Sequence, residues 1–533
     1  MIRFEAVSFR YDTSWILRQL DLEVADGELV VVVGPTGSGK TTLLKMIDGL
    51  VPHFSGGEML GDVVVDGRSI RDTPPTELAS TVGYVGQDPA ATFVTDRVED
   101  EIAYAMENLG IEPSVMRRRV EDALDLMSLH ELRDRQLATL SGGQRQRVAI
   151  AAVLAASPGI LVLDEPTSAL DPGAAEEVLA SLTRLVHDVG LTVVLAEHRL
   201  ERVLPFADRV VLLDGAGTIE VGEPGVVMAS SSLAPPIIDL GRLAGWSPLP
   251  VTVRDARRRA GAMRAALDHE PVPATLVGGT EVVAIADGLC ASYGSTLALD
   301  GVDLEVRAGT ITAVMGRNGS GKSTLLGCLA GINQPSCGAA TVQGTPPTTL
   351  SAKERIRRVG FVPQDASLLL YCQRVDQECA TADEEHHLAP GTTSASVARL
   401  TGELDPARHP RDLSEGQRLA LALGIVLAPA PRMVLLDEPT RGLDYEAKRA
   451  LVAVLAELRD EGVAIVMATH DVELVAQVAD HAVVLAQGEV IAHGPARDVV
   501  CHTPAFAPQV AKVLSPLPWL TVAEVAGALE GVR

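Results

Sequence analysis

Residues 34–41 read Gly-Pro-Thr-Gly-Ser-Gly-Lys-Thr, and residues 316–323 read Gly-Arg-Asn-Gly-Ser-Gly-Lys-Ser. Both stretches fit the phosphate-loop pattern G-x-x-x-x-G-K-[ST], and each lies between an apolar run and a helical pattern. The glycines let backbone N–H groups converge on phosphate oxygens, and the helix N-terminus adds a favourable dipole. The chain is therefore predicted to bind nucleotide twice. The residues expected to do so are Gly34, Pro35, Thr36, Gly37, Ser38, Gly39, Lys40, Thr41, Thr42, Gly316, Arg317, Asn318, Gly319, Ser320, Gly321, Lys322, Ser323 and Thr324.

The same ordered motifs accompany both loops. The pairs are Tyr11 and Tyr293, Gln87 and Gln364, Leu140–Gln144 (LSGGQ) and Leu413–Gln417 (LSEGQ), Leu163–Thr167 and Leu436–Thr440 (both LDEPT), Ser168–Asp171 and Arg441–Asp444, and His198 and His470. Solenoid repeats have periods of roughly 20–50 residues. A repeat as long as this one indicates two homologous domains.

With these motifs the sequence resembles the tandem ATP-binding-cassette (ABC) ATPases, in which two nucleotide-binding domains are fused. The resemblance implies an α/β fold with two P-loop NTPase domains. Each has a β-rich N-terminal part, a parallel-sheet core and a helical subdomain. We expect domain 1 at residues 1–224, an interdomain linker at 225–281, domain 2 at 282–500 and a C-terminal tail at 501–533. Alternating strand and helix patterns after residue 160 favour the same parallel α/β core.

Composition limits the class of protein. The 533 residues are too many for one core and fit two domains with a linker. No uncharged apolar run reaches the ~20 residues of a membrane span, and the N-terminus lacks the apolar core of a signal peptide. The net charge of −25 argues against a nucleic-acid partner, and the linker's one basic run reads as a solvated helix face.

Six cysteines form no C-x-x-C pair and no zinc spacing, so we expect reduced thiols in a cytoplasmic protein. The alternative, a metal site at Cys372, Cys379, His386 and His387, is weaker than incidental cysteines in a helical subdomain.

Hydrolysis of ATP requires Mg²⁺, an oriented water and donors aimed at the developing charge. Asp164 and Asp437 end apolar strands, where a carboxylate can face Mg²⁺, and Glu165 and Glu438 follow directly and can polarise water. The resemblance implies that His198 and His470 contact the γ-phosphate, so the expected catalytic residues are Glu165, His198, Glu438 and His470. The expected Mg²⁺ ligands are Thr41, Gln87, Asp164, Ser323, Gln364 and Asp437. Tyr11 and Tyr293 would stack on adenine, with an ordinary core tyrosine as the alternative.

In this family the two domains meet head to tail, so each ATP lies between one phosphate loop and the signature of the other domain. The resemblance thus implies an intramolecular pseudo-dimer. The signature residues that would complete its sites are Ser141, Gly143, Gln144, Ser414, Gly416 and Gln417. Glu415 replaces the usual glycine, and because a carboxylate would repel the γ-phosphate we expect its side chain to face away.

The segment after Gln87 runs Asp88-Pro89, Phe93-Val94 and then residues 98–108, VEDEIAYAMEN. It resembles the ATPases of energy-coupling-factor (ECF) importers, where this segment lines the groove for coupling helices of a transmembrane subunit. The resemblance implies two partners, that coupling subunit and a small substrate-binding membrane subunit, at the cytoplasmic face of the membrane. It implies a vitamin, a thiamine-related precursor, or cobalt or nickel ions as cargo. The alternatives are a peptide or sugar importer and a soluble ribosome-associated tandem cassette.

Overall fold

The computed structural model describes residues 1–168, 170–273, 279–294, 296–402 and 404–531. Ala169 of the Ser168–Asp171 motif, residues 274–278 of the expected linker and residues 532–533 of the expected tail lie outside the described residues. The chain forms two compact units, Met1–Asp255 and Ala256–Arg533, and each is described by itself. The finer boundaries at 224, 281 and 500 stay predictions.

The first unit contains two sheets. Its strands are Ile2–Arg10 (β1), Trp15–Val24 (β2), Leu29–Val33 (β3), Glu58–Val65 (β4), Arg68–Ser69 (β5), Val82–Val85 (β6), Ile160–Asp164 (β7), Thr192–Ala196 (β8), Arg209–Leu213 (β9) and Ile219–Gly222 (β10). An antiparallel sheet has the order β2-β1-β4-β5, and a six-stranded sheet has the order β10-β9-β3-β8-β7-β6. In the latter, β6, β7, β8, β3 and β9 are parallel and β10 is an antiparallel edge.

The helices of the first unit are Lys40–Ile47 (α1), Leu50–His53 (α2), Pro75–Leu78 (α3), Val98–Asn108 (α4), Pro113–Leu126 (α5), Gly142–Ala155 (α6), Pro172–Arg184 (α7), Leu200–Val203 (α8), Pro224–Ser230 (α9), Pro236–Leu243 (α10) and Val253–Arg259 (α11, which crosses into the second unit). Several of them, among them α1, α6 and α9, contact the six-stranded sheet. Strands β3, β7 and β8 are buried at every residue, as expected for β-branched runs covered on both faces. Helices α4 and α5 pack on α6 and form the expected helical subdomain.

The second unit repeats this plan. Its strands are Val282–Tyr293 (β11), Thr296–Arg307 (β12), Ile311–Met315 (β13), Cys337–Val342 (β14), Val359–Val362 (β15), Met433–Asp437 (β16), Ala464–Ala468 (β17), His481–Ala486 (β18) and Glu489–Pro495 (β19). The sheet orders are β12-β11-β14 and β15-β16-β17-β13-β18-β19. Its helices are Gly261–Leu267 (α12), Lys322–Leu329 (α13), Ala352–Arg358 (α14), Val375–Glu385 (α15), Thr392–Thr401 (α16), Glu415–Leu427 (α17), Tyr445–Asp460 (α18), Val472–Val478 (α19), Ala496–His502 (α20), Gln509–Leu514 (α21) and Val522–Gly531 (α22). The expected two-domain α/β fold is confirmed.

The repeat continues past the nucleotide-binding motifs. Ser-Pro-Leu-Pro occurs at residues 247–250, before α11, and at residues 515–518, before α22. Thr252 Oγ1 accepts a hydrogen bond from Asp255 N (3.1 Å), and Thr521 Oγ1 accepts one from Glu524 N (3.2 Å). Similar small helical modules therefore follow the parallel-sheet core of each unit. They occupy regions that the sequence motifs had assigned to the interdomain linker and the C-terminal tail.

One expectation about the cysteines is wrong. Cys290 and Cys337 lie opposite each other on the paired strands β11 and β14 and form a disulfide bond. Spacing along the chain does not reveal this, because the two positions become neighbours only when the strands pair. Cys328 and Cys379 are buried free thiols, and no cluster of His, Cys, Asp or Glu among the described residues could hold a metal ion. None of the described helices is both long and apolar enough to cross a bilayer.

Candidate functional site

The first phosphate loop joins β3 to α1. Gly39 has φ of +100°, a left-handed conformation that suits glycine, and it precedes α1 without any side-chain cap on the helix N–H groups. Lys40 is buried, and its Nζ donates to the carbonyl oxygens of Gly34 (2.8 Å) and Pro35 (3.0 Å). The lysine thus spans the loop, where an anion would meet both the ammonium group and the helix N-terminus.

The second phosphate loop has the same geometry between β13 and α13. Gly321 has φ of +105°, and Lys322 Nζ donates to the carbonyls of Gly316 (2.9 Å) and Arg317 (3.1 Å). Ser38 and Ser320 stand at equivalent positions of the two loops, and each has a buried Oγ with no hydrogen-bond partner among the described residues. A buried hydroxyl without a partner is costly unless a ligand satisfies it, so both loops fit a phosphate.

A carboxylate lies beside the helix end of each loop. Asp164 ends β7, and its Oδ2 accepts a hydrogen bond from Thr41 Oγ1 at 2.7 Å. Burial raises the pKa of Asp164, and it raises the pKa of Asp437, which ends β16 and is hydrogen-bonded to Ser323. Asp437 Oδ1 is buried without a partner among the described residues. A hydroxyl and a carboxylate held together in this way are oxygen ligands of the kind that Mg²⁺ prefers.

The neighbouring glutamates have strained backbones. Glu165 has φ of +51° and Glu438 has φ of +50°, values that are uncommon for residues with a Cβ. Their amides donate to carbonyls at the ends of the adjacent strands, Ala196 O (2.9 Å) and Ala468 O (2.8 Å). Such strain persists where the surroundings impose it, which is frequent at catalytic positions.

Each glutamate contacts the histidine that the motifs paired with it. His198 Nε2 lies 2.9 Å from Glu165 Oε1, and His470 Nδ1 lies 2.7 Å from Glu438 Oε2. Both histidines follow the strand next to the one that carries the glutamate, so the parallel sheet brings them together. The structure therefore unites a lysine, an aspartate, a glutamate and a histidine at the carboxyl edge of each sheet.

The two glutamines differ. Gln87 Nε2 donates to Glu165 Oε2 at 3.1 Å. The exposed side chain of Gln364 forms no hydrogen bond within the described part of the chain, and Lys322 Nζ instead approaches Glu438 Oε1 at 4.0 Å. The repeat predicted that Gln87 and Gln364 occupy equivalent positions. Among the described residues, Gln87 bonds to the glutamate of its site and Gln364 does not.

The tyrosines are both surface residues. Tyr11 packs edge-on against Phe9, and its hydroxyl lies 3.3 Å from Thr42 Oγ1, next to the phosphate loop. Tyr293 is 53% exposed. An ordinary core tyrosine is therefore the wrong interpretation, and adenine stacking stays a prediction.

The signature serines cap helices. Ser141 and Gln144 form a reciprocal capping box at the start of α6, and Ser414 and Gln417 form the same box at the start of α17. Glu415 Oε1 pairs with Arg418 Nη1 at 2.6 Å, one turn along the helix. The roles of Ser141, Gly143, Ser414 and Gly416 toward ATP stay predictions.

Sequence reasoning missed two buried carboxylates. Glu101 Oε2 accepts hydrogen bonds from Val94 N (3.1 Å) and Thr95 N (2.9 Å), and Glu378 accepts from Tyr371 N (2.8 Å) and Cys372 N (2.5 Å). Each acid thereby fixes the loop that follows Gln87 or Gln364. One sequence feature could have identified them: a glutamate stands at this position in both copies of the repeat.

The comparisons with known proteins agree with this geometry. The family model described as ABC transporter matches residues 17–168 and 299–441. A Streptomyces avermitilis protein named as an ABC transporter ATP-binding protein is 54% identical, over 99% of this chain and 100% of its own length. A protein of the same description from Methanosarcina mazei is 33% identical, over 97% of this chain and 92% of its own length.

Two solved structures cover nearly the whole chain. ABCE1 in a model with ribosome-bound archaeal Pelota covers 94% of this chain and 80% of that chain, with a TM-score of 0.65 and 22% identity. The RNase-L inhibitor covers 94% of this chain and 92% of its own, with a TM-score of 0.61 and 21% identity. At such identities the likeness concerns the fold alone. The two matched regions and the full-length relatives lead to one conclusion: this chain belongs to the ABC transporter family, as an ATP-hydrolysing protein with two cassettes.

Proposed function

We propose that this protein is the ATPase of an energy-coupling-factor importer, bound at the cytoplasmic face of the membrane. The observation that carries the proposal is the loop after Gln87, whose sequence resembles those ATPases. Glu101 anchors this loop, Phe93 lines a cavity of about 440 Å³ beside it, and the neighbouring Val94 is 62% exposed. An anchored loop with exposed apolar side chains suits the docking of a partner helix. The proposed partners are a transmembrane coupling subunit and a small substrate-binding subunit, and the cargo is a vitamin, a thiamine-related precursor, or cobalt or nickel ions.

We infer that the two cassettes act as an intramolecular pair. Lys40, Asp164, Glu165 and His198 would form one site, closed by Ser414 and Gly416. Lys322, Asp437, Glu438 and His470 would form the other, closed by Ser141 and Gly143. Fusion in one chain raises the effective concentration of one half for the other.

The residues of each site have separable tasks. The lysine, which already bonds to two carbonyls of its phosphate loop, binds the outer phosphates. The glutamate accepts the proton of the attacking water, and the histidine 2.9 or 2.7 Å away orients that carboxylate. Because ATP spans both cassettes in this scheme, binding closes them and hydrolysis lets them separate, which transmits motion to the membrane partner.

Magnesium fits the same sites. Thr41 with Asp164, and Ser323 with Asp437, would hold the ion, and Gln87 and Gln364 would be further ligands. When bound, Mg²⁺ neutralises phosphate charge.

Two other functions compete with this proposal. A peptide or sugar importer would use the same ATP machinery with another membrane partner. A soluble ribosome-associated ATPase is favoured by the two-cassette architecture shared with ABCE1, although that likeness concerns the fold alone.

Affinity purification separates these functions. The tagged protein would be isolated from detergent-solubilised membranes of its host, and mass spectrometry would identify the chains that accompany it. The proposal expects a transmembrane subunit and a small, very hydrophobic subunit. A periplasmic-type or peptide-specific importer subunit would favour the first alternative, and ribosomal proteins without any membrane protein would favour the second.

A further inference from the structure

A buried side chain continues the hydrogen bonding at the end of β8. Ala196, the last residue of β8, accepts a hydrogen bond from Glu165 N through its carbonyl oxygen at 2.9 Å. The next residue, Glu197, accepts one from Thr167 N through Oε1 at 2.7 Å. Glu197 is 2% exposed, so this bond lies inside the first unit. Two consecutive residues therefore hold alternate amides of the segment that follows β7.

An arginine holds the carbonyl group of the same threonine. Arg202 Nη1 donates to Thr167 O at 3.2 Å and to Leu170 O at 3.3 Å. Burial raises the pKa of Glu197, while its bond to Thr167 and the charge of Arg202 act in the opposite direction. Thr167 is thus held through its amide by an acid and through its carbonyl by a base, and hydrogen bonds to charged groups are the stronger ones.

These bonds lie next to the proposed catalytic pair of the first unit. Thr167 follows Glu165 by two residues, and Glu197 directly precedes His198. The two segments are therefore joined twice, once by the contact between Glu165 Oε1 and His198 Nε2 and once by the bond between Thr167 and Glu197. The strained backbone of Glu165 persists only because its surroundings impose it, and the second bond belongs to those surroundings.

The second unit lacks this arrangement. The repeat gives the counterparts: Thr469 for Glu197, Leu474 for Arg202 and Thr440 for Thr167. Thr469 Oγ1 accepts a hydrogen bond from Asp471 N at 3.0 Å, within its own turn. Within the described part of the chain, no side chain accepts a hydrogen bond from Thr440 N. The shorter side chain and the apolar leucine leave the counterpart threonine without the acid and the base.

The glutamate of the second unit is held by another group. His470 N donates to Glu438 Oε2 at 3.3 Å, in addition to the contact of the histidine ring at 2.7 Å. Backbone and ring of one histidine thus act on the same carboxylate. The two units therefore position equivalent glutamates by different means.

We propose that Glu197 and Arg202 are positioning residues of the first ATP site, which hold Thr167 from both sides and thereby keep Glu165 placed to accept the proton of the attacking water. This inference rests on the proposed role of Glu165 and does not depend on the membrane partner. Because a small displacement of a reacting group slows a reaction strongly, loss of this hold lowers turnover at the first site. The second site does not depend on it, since Thr469 and Leu474 make no such bonds.

Two substitutions of Glu197 separate the hydrogen bond from other effects. Glu197→Ala removes the acceptor for Thr167 N and should lower kcat about twofold or more, the second site still being active, while KM for ATP changes less than about twofold. Glu197→Gln keeps a carbonyl oxygen at the same place and should restore most of the lost kcat. Arg202→Leu, which introduces the residue of the second unit, should lower kcat in the same way. Phosphate release measures all three.

Thr469→Ala is the matched control in the second unit. It changes the counterpart of Glu197 but removes no bond to Thr440 N, so kcat should stay near that of wild type. Melting temperatures with and without ATP measure folding and nucleotide binding separately for every variant.

A double-mutant cycle tests whether Glu197 acts through Glu165. In Glu165→Gln the first site has lost its proposed base, so the addition of Glu197→Ala should cause no further loss of turnover. A side chain that only stabilised the fold would lower turnover by the same factor in both backgrounds.

The outcomes distinguish failure of this inference from failure of the role of Glu165. Reduced turnover in Glu165→Gln together with full turnover in Glu197→Ala would overturn the inference alone. Equal losses in Glu197→Ala and Glu197→Gln, or a further loss when Glu197→Ala is added to Glu165→Gln, would overturn it as well. Wild-type turnover in Arg202→Leu would remove Arg202 from it. Full turnover in Glu165→Gln would overturn the proposed role of Glu165 and the inference with it.

Discussion

The two cassettes carry the same proposed catalytic residues in unequal surroundings. In the first unit Glu165 accepts a hydrogen bond from Gln87 and contacts His198. In the second unit Glu438 contacts His470 and has Lys322 at 4.0 Å. The duplicated motifs thus specify which residues each site contains. The contacts among those residues depend on the surrounding fold.

A second contrast lies just behind the phosphate loops. Asp48 follows α1 in the first unit, and Ala330 takes the equivalent position after α13. Asp48 is buried, and burial raises its pKa to about 7. The first unit therefore contains a titratable group that the second lacks.

Glutamine in place of the two proposed catalytic glutamates tests whether both sites hydrolyse ATP. The double variant Glu165→Gln with Glu438→Gln should lower ATP turnover about 100-fold or more, because an amide cannot accept the proton of the attacking water. Each single variant should fall to about half of wild-type turnover or below, as measured by phosphate release. ATP binding by a fluorescent analogue is the control. A single variant with full turnover would identify its site as idle.

Asp48→Asn tests the buried acid of the first unit. The pKa of Asp48 rises from 3.8 to about 7 on folding, so the folded state binds more protons and the aspartate lowers stability as pH rises from about 4 to about 7. The variant should raise the free energy of unfolding by about 2–4 kcal/mol above pH 7 and have little effect near pH 4. Denaturant titrations across this pH range measure the difference. Asp12→Asn, at an exposed position of the same unit, is the control. A stability gain independent of pH would contradict the assignment.

Alanine in place of the glutamines measures how unequal the two sites are. Gln87→Ala removes a hydrogen bond to Glu165 and should lower kcat about 2- to 10-fold. Gln364→Ala removes no such bond and should have the smaller effect. Steady-state kinetics with both variants gives the answer. A larger loss for Gln364→Ala would reverse the comparison.

Glu415→Gln should have the smallest effect. Its carboxylate is 45% exposed, and an ion pair of this kind contributes about 1 kcal/mol or less, so stability should change little. Arg418 keeps its bonds to backbone carbonyls. Thermal unfolding beside the exposed control Glu131→Gln checks this expectation. A loss well above 1 kcal/mol would mean that the pair also holds the loop before the signature helix.

Sequence patterns predicted much of the fold for two reasons. The buried strands are runs of β-branched residues, and the residues that cap the helices lie next to them in the sequence. The alternating strand and helix patterns predicted after residue 160 correspond to the observed strands Ile160–Asp164, Thr192–Ala196 and Arg209–Leu213. The disulfide between Cys290 and Cys337 was not predicted, because it depends on the pairing of β11 with β14. The ordered modules around residues 247–250 and 515–518 were also missed, since they carry no chemical motif.

For the candidate site, the sequence alone determined the residue types, their order and their duplication. These are fixed by local chemistry, since a glycine loop, a strand-end aspartate and a capped helix each need only a few neighbouring residues. Only the tertiary structure decided that Gln87 touches Glu165 and that Glu101 and Glu378 hold their loops. These contacts are set by how the chain packs. Such choices are not encoded in the spacing of residues along the chain.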